Sequence, residues 1–192
     1  MAKKELPDPE VLRKLLRYEP ETGKLFWRAR TPEFFRHTHG KRTRTPEHTC
    51  NNWNSRHAGK ETFTQDDGHG YCTGGIFNRP YRAHRVIWAI VHGEWPSDHM
   101  DHINGNRRDN RIENLRVVTV AENNKNLKTF KTNKSGRMGV HFDKSCRRWR
   151  AYIRYNGKRR HIGLYGSFEE ASKARAKAEI KYGYHPNHGR KT

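Results

Sequence analysis

The residues best suited to chemistry lie between positions 98 and 124, which open Asp-His-Met-Asp-His-Ile-Asn-Gly-Asn and close Ala-Glu-Asn-Asn. Asp101 and His102 are adjacent, so on an extended strand their side chains leave opposite faces or diverge at a kink. Asn123 falls on the first turn of a helix that can pack back across a hairpin. A carboxylate and an amide oxygen are hard ligands suited to Mg²⁺, which keeps several waters and binds phosphate oxygens. A neutral imidazole beside such an ion can deprotonate an attacking water near pH 7. The chemistry is then metal-assisted hydrolysis. A plain hydrophilic turn is also rich in Asn, and Asp-His pairs arise by chance. Asp101, His102 and Asn123 within one readable unit argue for the chemistry.

That unit has three elements. Met100–Ile103 reads as a strand, Asn104-Gly105-Asn106 as a turn tolerant of positive φ, and Leu115–Thr119 as a second strand. Thr119 and Glu122 form a capping box that starts a helix. Upstream, Gly70–Ile76 and Arg79–Ala83 are two short strands joined by a polar turn at Asn78. His84–His92 has helical apolar spacing through Val86, Ile87, Trp88, Ile90 and Val91, and Gly93 and Pro96 end it. Near the N-terminus, Asp8-Pro9 opens a short amphipathic helix with Val11, Leu12, Leu15 and Leu16. Pro20–Gly23 is a turn into a strand, Lys24–Arg28. Residues 30–58 show little periodicity and read as a long basic loop. His37, His39, His48 and His57 are there solvated or phosphate-facing, since no pair has the spacing of metal ligands.

The run Asp101-His102-Ile103-Asn104-Gly105, then Asp109-Asn110-Arg111-Ile112-Glu113-Asn114-Leu115-Arg116, then Ala121-Glu122-Asn123-Asn124, resembles the HNH endonucleases. It is most similar to the phage and intron-encoded branch with a ββα-metal fold. His84-Arg85-Val86-Ile87-Trp88 and Gly93-Glu94-Trp95-Pro96 resemble that branch too. The resemblance covers residues 68–124 and implies roles. Asp101 is a metal ligand and His102 the general base. Asn114 fixes the loop and orients the His102 backbone. Asn123 is the second metal ligand, where other members carry His. That exchange points away from zinc and towards Mg²⁺ or Mn²⁺, because an amide oxygen is harder than imidazole. His84 is a packing or hydrogen-bonding residue at the helix start, or else a phosphate contact.

Charge points to the same class of partner. Lys and Arg number 40 against 20 Asp and Glu in 192 residues, a net charge of +20. Five Trp, eight Tyr and eight Phe are too many for a disordered polycation. Residues 125–192 hold 19 Lys and Arg against 4 acidic residues, a net of +15; residues 1–124 hold 21 against 16, a net of +5. The natural partner is a polyanion, held mostly by the last third of the chain. Cys50, Cys72 and Cys146 are scattered, which argues against a disulfide framework or zinc ribbon. The longest apolar run, Val86–Val91, is too short to span a bilayer, and no signal-peptide pattern opens the chain. The expectation is a soluble, cytoplasmic protein, phage-encoded and acting in a bacterial host or associated with the nucleoid.

In that basic third, residues 125–134 read as a linker. Strands follow at Met138–Asp143, Trp149–Tyr155 and His161–Tyr165, with Asn156-Gly157 a type I′ hairpin signal. Alternation sets Trp149, Ala151, Ile153 and Tyr155 on one side and Arg150, Tyr152 and Arg154 on the other. Ser167–Glu170 is a second capping box, opening a helix to Tyr182. Ala171, Ala174 and Ala178 share its packing face, and Lys173, Arg175, Lys177 and Lys181 face water. Gly139-Val140, Trp149-Arg150-Ala151, Ile153-Arg154, Gly157-Lys158, Ile162-Gly163, Phe168 and the Ala-rich helix resemble the ethylene-response-factor (ERF) DNA-binding domain. That resemblance implies a three-stranded sheet in the DNA major groove, with Arg147, Arg148, Trp149, Arg150, Arg154, Arg160 and His161 at the interface. Met138 stands where that family carries an arginine before Gly-Val, so base readout there does not transfer.

The expected fold is α+β: a ββα-metal nuclease core, then a small three-stranded antiparallel sheet packed on one helix. The expected division is 1–67 as a buttress, 68–124 as nuclease, 125–134 as linker, 135–185 as DNA-binding domain and 186–192 as tail. The expected activity is metal-dependent nicking of double-stranded DNA by a monomer or weak dimer. The rival is a catalytically inactive DNA-binding regulator.

Overall fold

The computed structural model describes residues 5–36, 44–130 and 132–190. The protein is α+β and divides into two compact units: residues 1–102 with 106–117, and residues 103–105 with 118–192. Among the described residues no helix is long and apolar enough to cross a membrane.

The first unit opens with α1 (Pro9–Leu15), whose N-cap Asp8 accepts the Glu10 N–H at 2.7 Å. Leu16, expected in this helix, instead begins β1 (Leu16–Glu19), antiparallel to β2 (Lys24–Trp27) with Leu16 opposite Trp27. Both states bury Leu16, so the apolar pattern alone does not separate them. After α2 (Pro46–His57), β3 (Glu61–Thr62) completes a sheet of order β1-β2-β3. A second sheet joins β4 (Gln65–Asp66), β5 (Cys72–Ile76) and β6 (Arg79–Arg82). The β5–β6 turn places Phe77 and Asn78 at φ 50° and 60°, the two positive values a type I′ hairpin requires. Helix α3 (Ala83–His92) ends at Gly93, φ 76°. β7 (His99–His102) pairs with β8 (Leu115–Val118), and a 3-10 turn, Ile112–Asn114, leads into β8.

One core joins α1, β1, β2, β5, β6, α3, β7 and β8. Leu12, Leu15, Leu16 and Leu25 meet Ile76, Val86, Ile87, Met100 and Leu115, all buried. Each such side chain contributes about 1.5–3 kcal/mol of burial, so the N-terminal segment is part of the framework under β7.

Helix α2 overturns the reading of residues 30–58 as a loop. Its N-cap Thr45 accepts the His48 N–H at 3.2 Å and Pro46 takes the first position. Asn54 pairs with the Arg30 backbone in both directions, at 2.8 and 2.9 Å, and Trp53 meets Trp27 edge-on. The Arg30 guanidinium lies 3.8 Å from the Trp53 ring centroid. Only Cys50 and Trp53 give the helix apolar character, too few for periodicity to reveal it. His48 and His57 are exposed on it, while His37 and His39 lie outside the described residues.

In the second unit, α4 (Val120–Asn123) carries the expected capping box: Thr119 Oγ1 accepts the Glu122 N–H at 3.3 Å, and Glu122 accepts the Thr119 N–H at 2.8 Å. Chain order is thus β7, β8, α4, the ββα arrangement. β9 (Val140–Asp143), β10 (Arg148–Tyr155) and β11 (Lys158–Tyr165) form an antiparallel sheet with β10 central, packed on α5 (Phe168–Lys181). Asn156 and Gly157 adopt φ 49° and 73°, as a type I′ turn demands. At the start of α5, Ser167 accepts the Glu170 N–H, but Glu170 turns back to the Gly166 N–H, completing only half of the expected box.

Two further expectations are corrected here. Arg175 does not face water: it is 3% exposed on the face shared by Ala171 and Ala178, donating to the Met138 carbonyl and pairing with Glu179. Helical spacing places it there, and Glu179 offsets part of the desolvation of its charge. Nor do the expected linker and tail run free. Thr129 N–H donates to the Arg190 carbonyl at 2.9 Å and Gly189 N–H to the Leu127 carbonyl at 2.8 Å. Backbone groups in such polar, basic segments still seek partners.

Candidate functional site

Strand β7 positions the first two residues of interest. Alternation along it sends Asp101 and His102 to opposite sides, and both are buried, at 8% and 3% exposure. Asp101 Oδ2 accepts from Arg116 Nη2 at 2.7 Å and Nε at 3.1 Å, so β8 supplies a cation against the carboxylate. His102 turns towards α3, where its ring meets His84 edge-on at 5.2 Å and lies 5.9 Å from Tyr71. Tyr71 in turn has the guanidinium groups of Arg82 and Arg107 against its ring, at 4.4 and 4.7 Å.

The loop after β7 is drawn in by its own side chains. Asp109 binds Arg111 through two oxygens, at 2.9 and 2.8 Å, and Asn114 Nδ2 donates to the Asp109 carbonyl at 2.8 Å. Asn114, 6% exposed, thereby closes the loop into the 3-10 turn. Asn110 reaches the imidazole: its Oδ1 lies 3.1 Å from His102 Nε2. Asn110 lies within the motif that carries the resemblance, which assigns it no role. Its only signal was its place in a loop that must close over His102.

Burial sets the electrostatics. It pushes the His102 pKa below the ordinary imidazole value, with Arg107 adding to the effect, against Asn110, Asp101 and Asp109, which raise it. His84 goes further, to about 3, through burial first and then through His102, Arg82 and Arg85. Both rings are neutral at pH 7. A neutral His102 can accept a proton. His84 is 3% exposed and packs against two rings, which leaves little surface for a phosphate; the packing alternative describes its position.

Asn123 ends α4 in the second unit and is half-buried. Among the described residues no three His, Cys, Asp or Glu side chains are grouped to hold a metal ion. The oxygen donors expected from the sequence, a carboxylate and an amide, are hard, and suit an ion that keeps part of its water shell.

The sheet of the second unit sorts the remaining candidates by face. Trp149, half-buried against Phe168 at 5.1 Å, and the enclosed Ala151 and Ile153 look towards α5. Trp149 is therefore a packing residue, as strand alternation requires, and does not share the outer face with Arg150 and Arg154. A register shift between Ala151 and Tyr152 sets Arg160 opposite Ile153, with its guanidinium 5.3 Å from the Tyr155 ring. Arg159, opposite Arg154, takes the outward position instead and stacks 3.6 Å over Tyr152. His141, Arg150, Tyr152, Arg159 and His161 line an open groove of about 480 Å³ on that face. Arg148 and Arg147 are exposed where β10 begins. Tyr152 shares the face expected for it with Arg150 and Arg154, whereas Arg159 and His141 were not among the expected interface residues; the irregularity in the β10–β11 register is what turns Arg159 rather than Arg160 outward.

Comparison with known proteins adds the following. The family model described as HNH endonuclease matches residues 81–125. Protein 3.8 of Escherichia phage T7 is 35% identical over 83 residues, which cover 43% of this chain and 69% of that protein. No solved structure matches.

Proposed function

The chain belongs to the HNH endonuclease family through residues 81–125, and from that premise we propose that it hydrolyses phosphodiester bonds of double-stranded DNA with a bound divalent metal. The observation that carries this reading is a buried, neutral His102 beside Asp101 on one strand of the family-matched segment. Its imidazole takes the proton from an attacking water, and the enclosing rings of His84 and Tyr71 hold it in place. Asn114 keeps the loop closed around it. Asp101, with Asn123 as the second ligand that the resemblance implies, would hold the metal, and Mg²⁺ or Mn²⁺ would suit these oxygens. The chemistry such an ion supplies is polarisation of a phosphate oxygen and neutralisation of charge on the leaving oxygen. One such site per chain nicks one strand.

The outer face of the β9–β10–β11 sheet is the DNA-gripping surface, in the manner of an ERF-type domain, with Arg148, Arg150, Arg154, Arg159 and His161 towards the major groove. This surface supplies affinity and a steep salt dependence rather than chemistry.

Relaxation of supercoiled plasmid with Mg²⁺ and with chelator, in wild type and His102→Ala, tests the proposal. The expected result is metal-dependent nicking that falls roughly 10²- to 10⁴-fold in the variant. A wild type that retards the same DNA in a gel and never nicks it with Mg²⁺ or Mn²⁺ favours the regulator.

A further inference from the structure

We propose that Asn110, seated by the β1–β2 hairpin, is the residue that positions the His102 imidazole, holding its proton on Nε2 so that Nδ1 is the basic nitrogen. The catalytic consequence rests on the nuclease reading above. Asn110 is 3% exposed. Its Nδ2 donates to the Arg108 carbonyl at 3.4 Å, which turns the donor end of the amide into its own loop and Oδ1 towards His102 Nε2. An amide oxygen carries no hydrogen, so the proton in that contact belongs to the imidazole. A neutral ring protonated on Nε2 has its lone pair on Nδ1. The edge-on packing of His84 and the nearby Tyr71 oppose a flip that would exchange the two nitrogens.

What holds Asn110 comes from the N-terminal region. The Tyr18 hydroxyl on β1 donates to the Asn110 carbonyl at 3.4 Å and accepts the Ile112 N–H at 2.9 Å. Gly23, in the β1–β2 turn at φ 72°, lies directly on the same backbone. A Cβ there would come within 2.6 Å of the Asn110 carbonyl carbon and of the Arg111 nitrogen. No side chain fits, and the positive φ independently favours glycine. The hairpin therefore sets the height of the Asn110 backbone, and the Asn110 side chain sets the ring. Asn110 is a positioning residue, acting on water only through His102.

The test uses the full chain with ring-¹⁵N-labelled histidine, the His102 signals being identified by their loss in His102→Gln. Long-range ¹H–¹⁵N spectra separate a protonated from an unprotonated ring nitrogen, and nicking of plasmid with Mg²⁺ gives kcat and KM. In wild type, Nε2 should be the protonated nitrogen. Asn110→Ala should mix the two tautomers and lower kcat roughly 10- to 100-fold with little change in KM. Asn110→Asp, whose carboxylate also accepts, should restore the Nε2–H form. A wild-type proton on Nδ1, or an Asn110→Ala protein with unchanged ring signals and kcat, overturns the proposal. If Asn110→Ala does not fold, Asn110→Asp decides: a folded variant with the proton on Nδ1 overturns it. A wild type with the Nε2–H signature, disturbed in Asn110→Ala but inactive with Mg²⁺ and Mn²⁺, supports the positioning and overturns the nuclease reading instead.

Discussion

Acidification is expected to destabilise the first unit through His84. The ring is 3% exposed, and its Nδ1 finds no hydrogen-bond partner among the described residues. Burial, then the neighbouring His102, Arg82 and Arg85, depress its pKa from 6.5 to about 3. In the unfolded chain the imidazole returns to its ordinary value near 6.5. Below that pH the unfolded state binds a proton that the native state refuses. The stability is therefore intact above pH 6.5 and lost as the pH falls from there towards 3. One pKa unit corresponds to about 1.4 kcal/mol, so the loss at pH 5 is about 2 kcal/mol. Urea unfolding at pH 7.5, 6 and 5 measures it. Trp27, Trp53, Trp88 and Trp95 all lie in this unit, so tryptophan fluorescence reports mainly on it. His84→Phe keeps an aromatic ring against His102 and Tyr71 but cannot titrate. Its stability should fall by about 2 kcal/mol less than wild type between pH 7.5 and 5. Equal losses in the two proteins would refute the argument that His84 is held neutral by burial.

Three other outcomes follow from the geometry. Trp149→Ala should lower the stability of the second unit by about 2 kcal/mol, less than a fully enclosed Trp would give; a thermal melt that does not move would mean the ring is not packed on Phe168. Arg159→Ala should leave that melt in place, weaken DNA binding across sequences and reduce the slope of log affinity against log salt by about 1. An unchanged slope in a filter-binding titration would take Arg159 out of the DNA interface. Tyr18→Phe leaves the Ile112 N–H without its side-chain acceptor and should destabilise the first unit by about 1–2 kcal/mol in a urea titration; a change under a few tenths of a kcal/mol would make the Tyr18 contact incidental.

The local features of the site are readable from neighbouring residues. Adjacency of Asp101 and His102 on a strand dictates that they diverge, and Thr119 with Glu122 marks a helix start because both ends of the box lie within one turn. Asn156-Gly157 announces its hairpin for the same reason: two residues that accept positive φ close a turn on their own. Where the sequence misled, the deciding contact was remote. Helix α2 is held to Arg30 and Trp27 by Asn54 and Trp53, and its own apolar content carries no signal. Arg175 looked like one more solvated cation until the Met138 carbonyl, 37 positions upstream, supplied a partner in the interior.

By itself, then, the sequence determined the helix starts at Asp8, Thr119 and Ser167, the tight turns, the strong positive charge and the candidate residues for proton transfer and metal binding, because caps, turns and alternation act over a few residues. Only the tertiary structure decided which amide meets the His102 ring. That choice depends on how the loop closes under Tyr18, 92 positions upstream of Asn110, and a contact of that span leaves no local pattern to read.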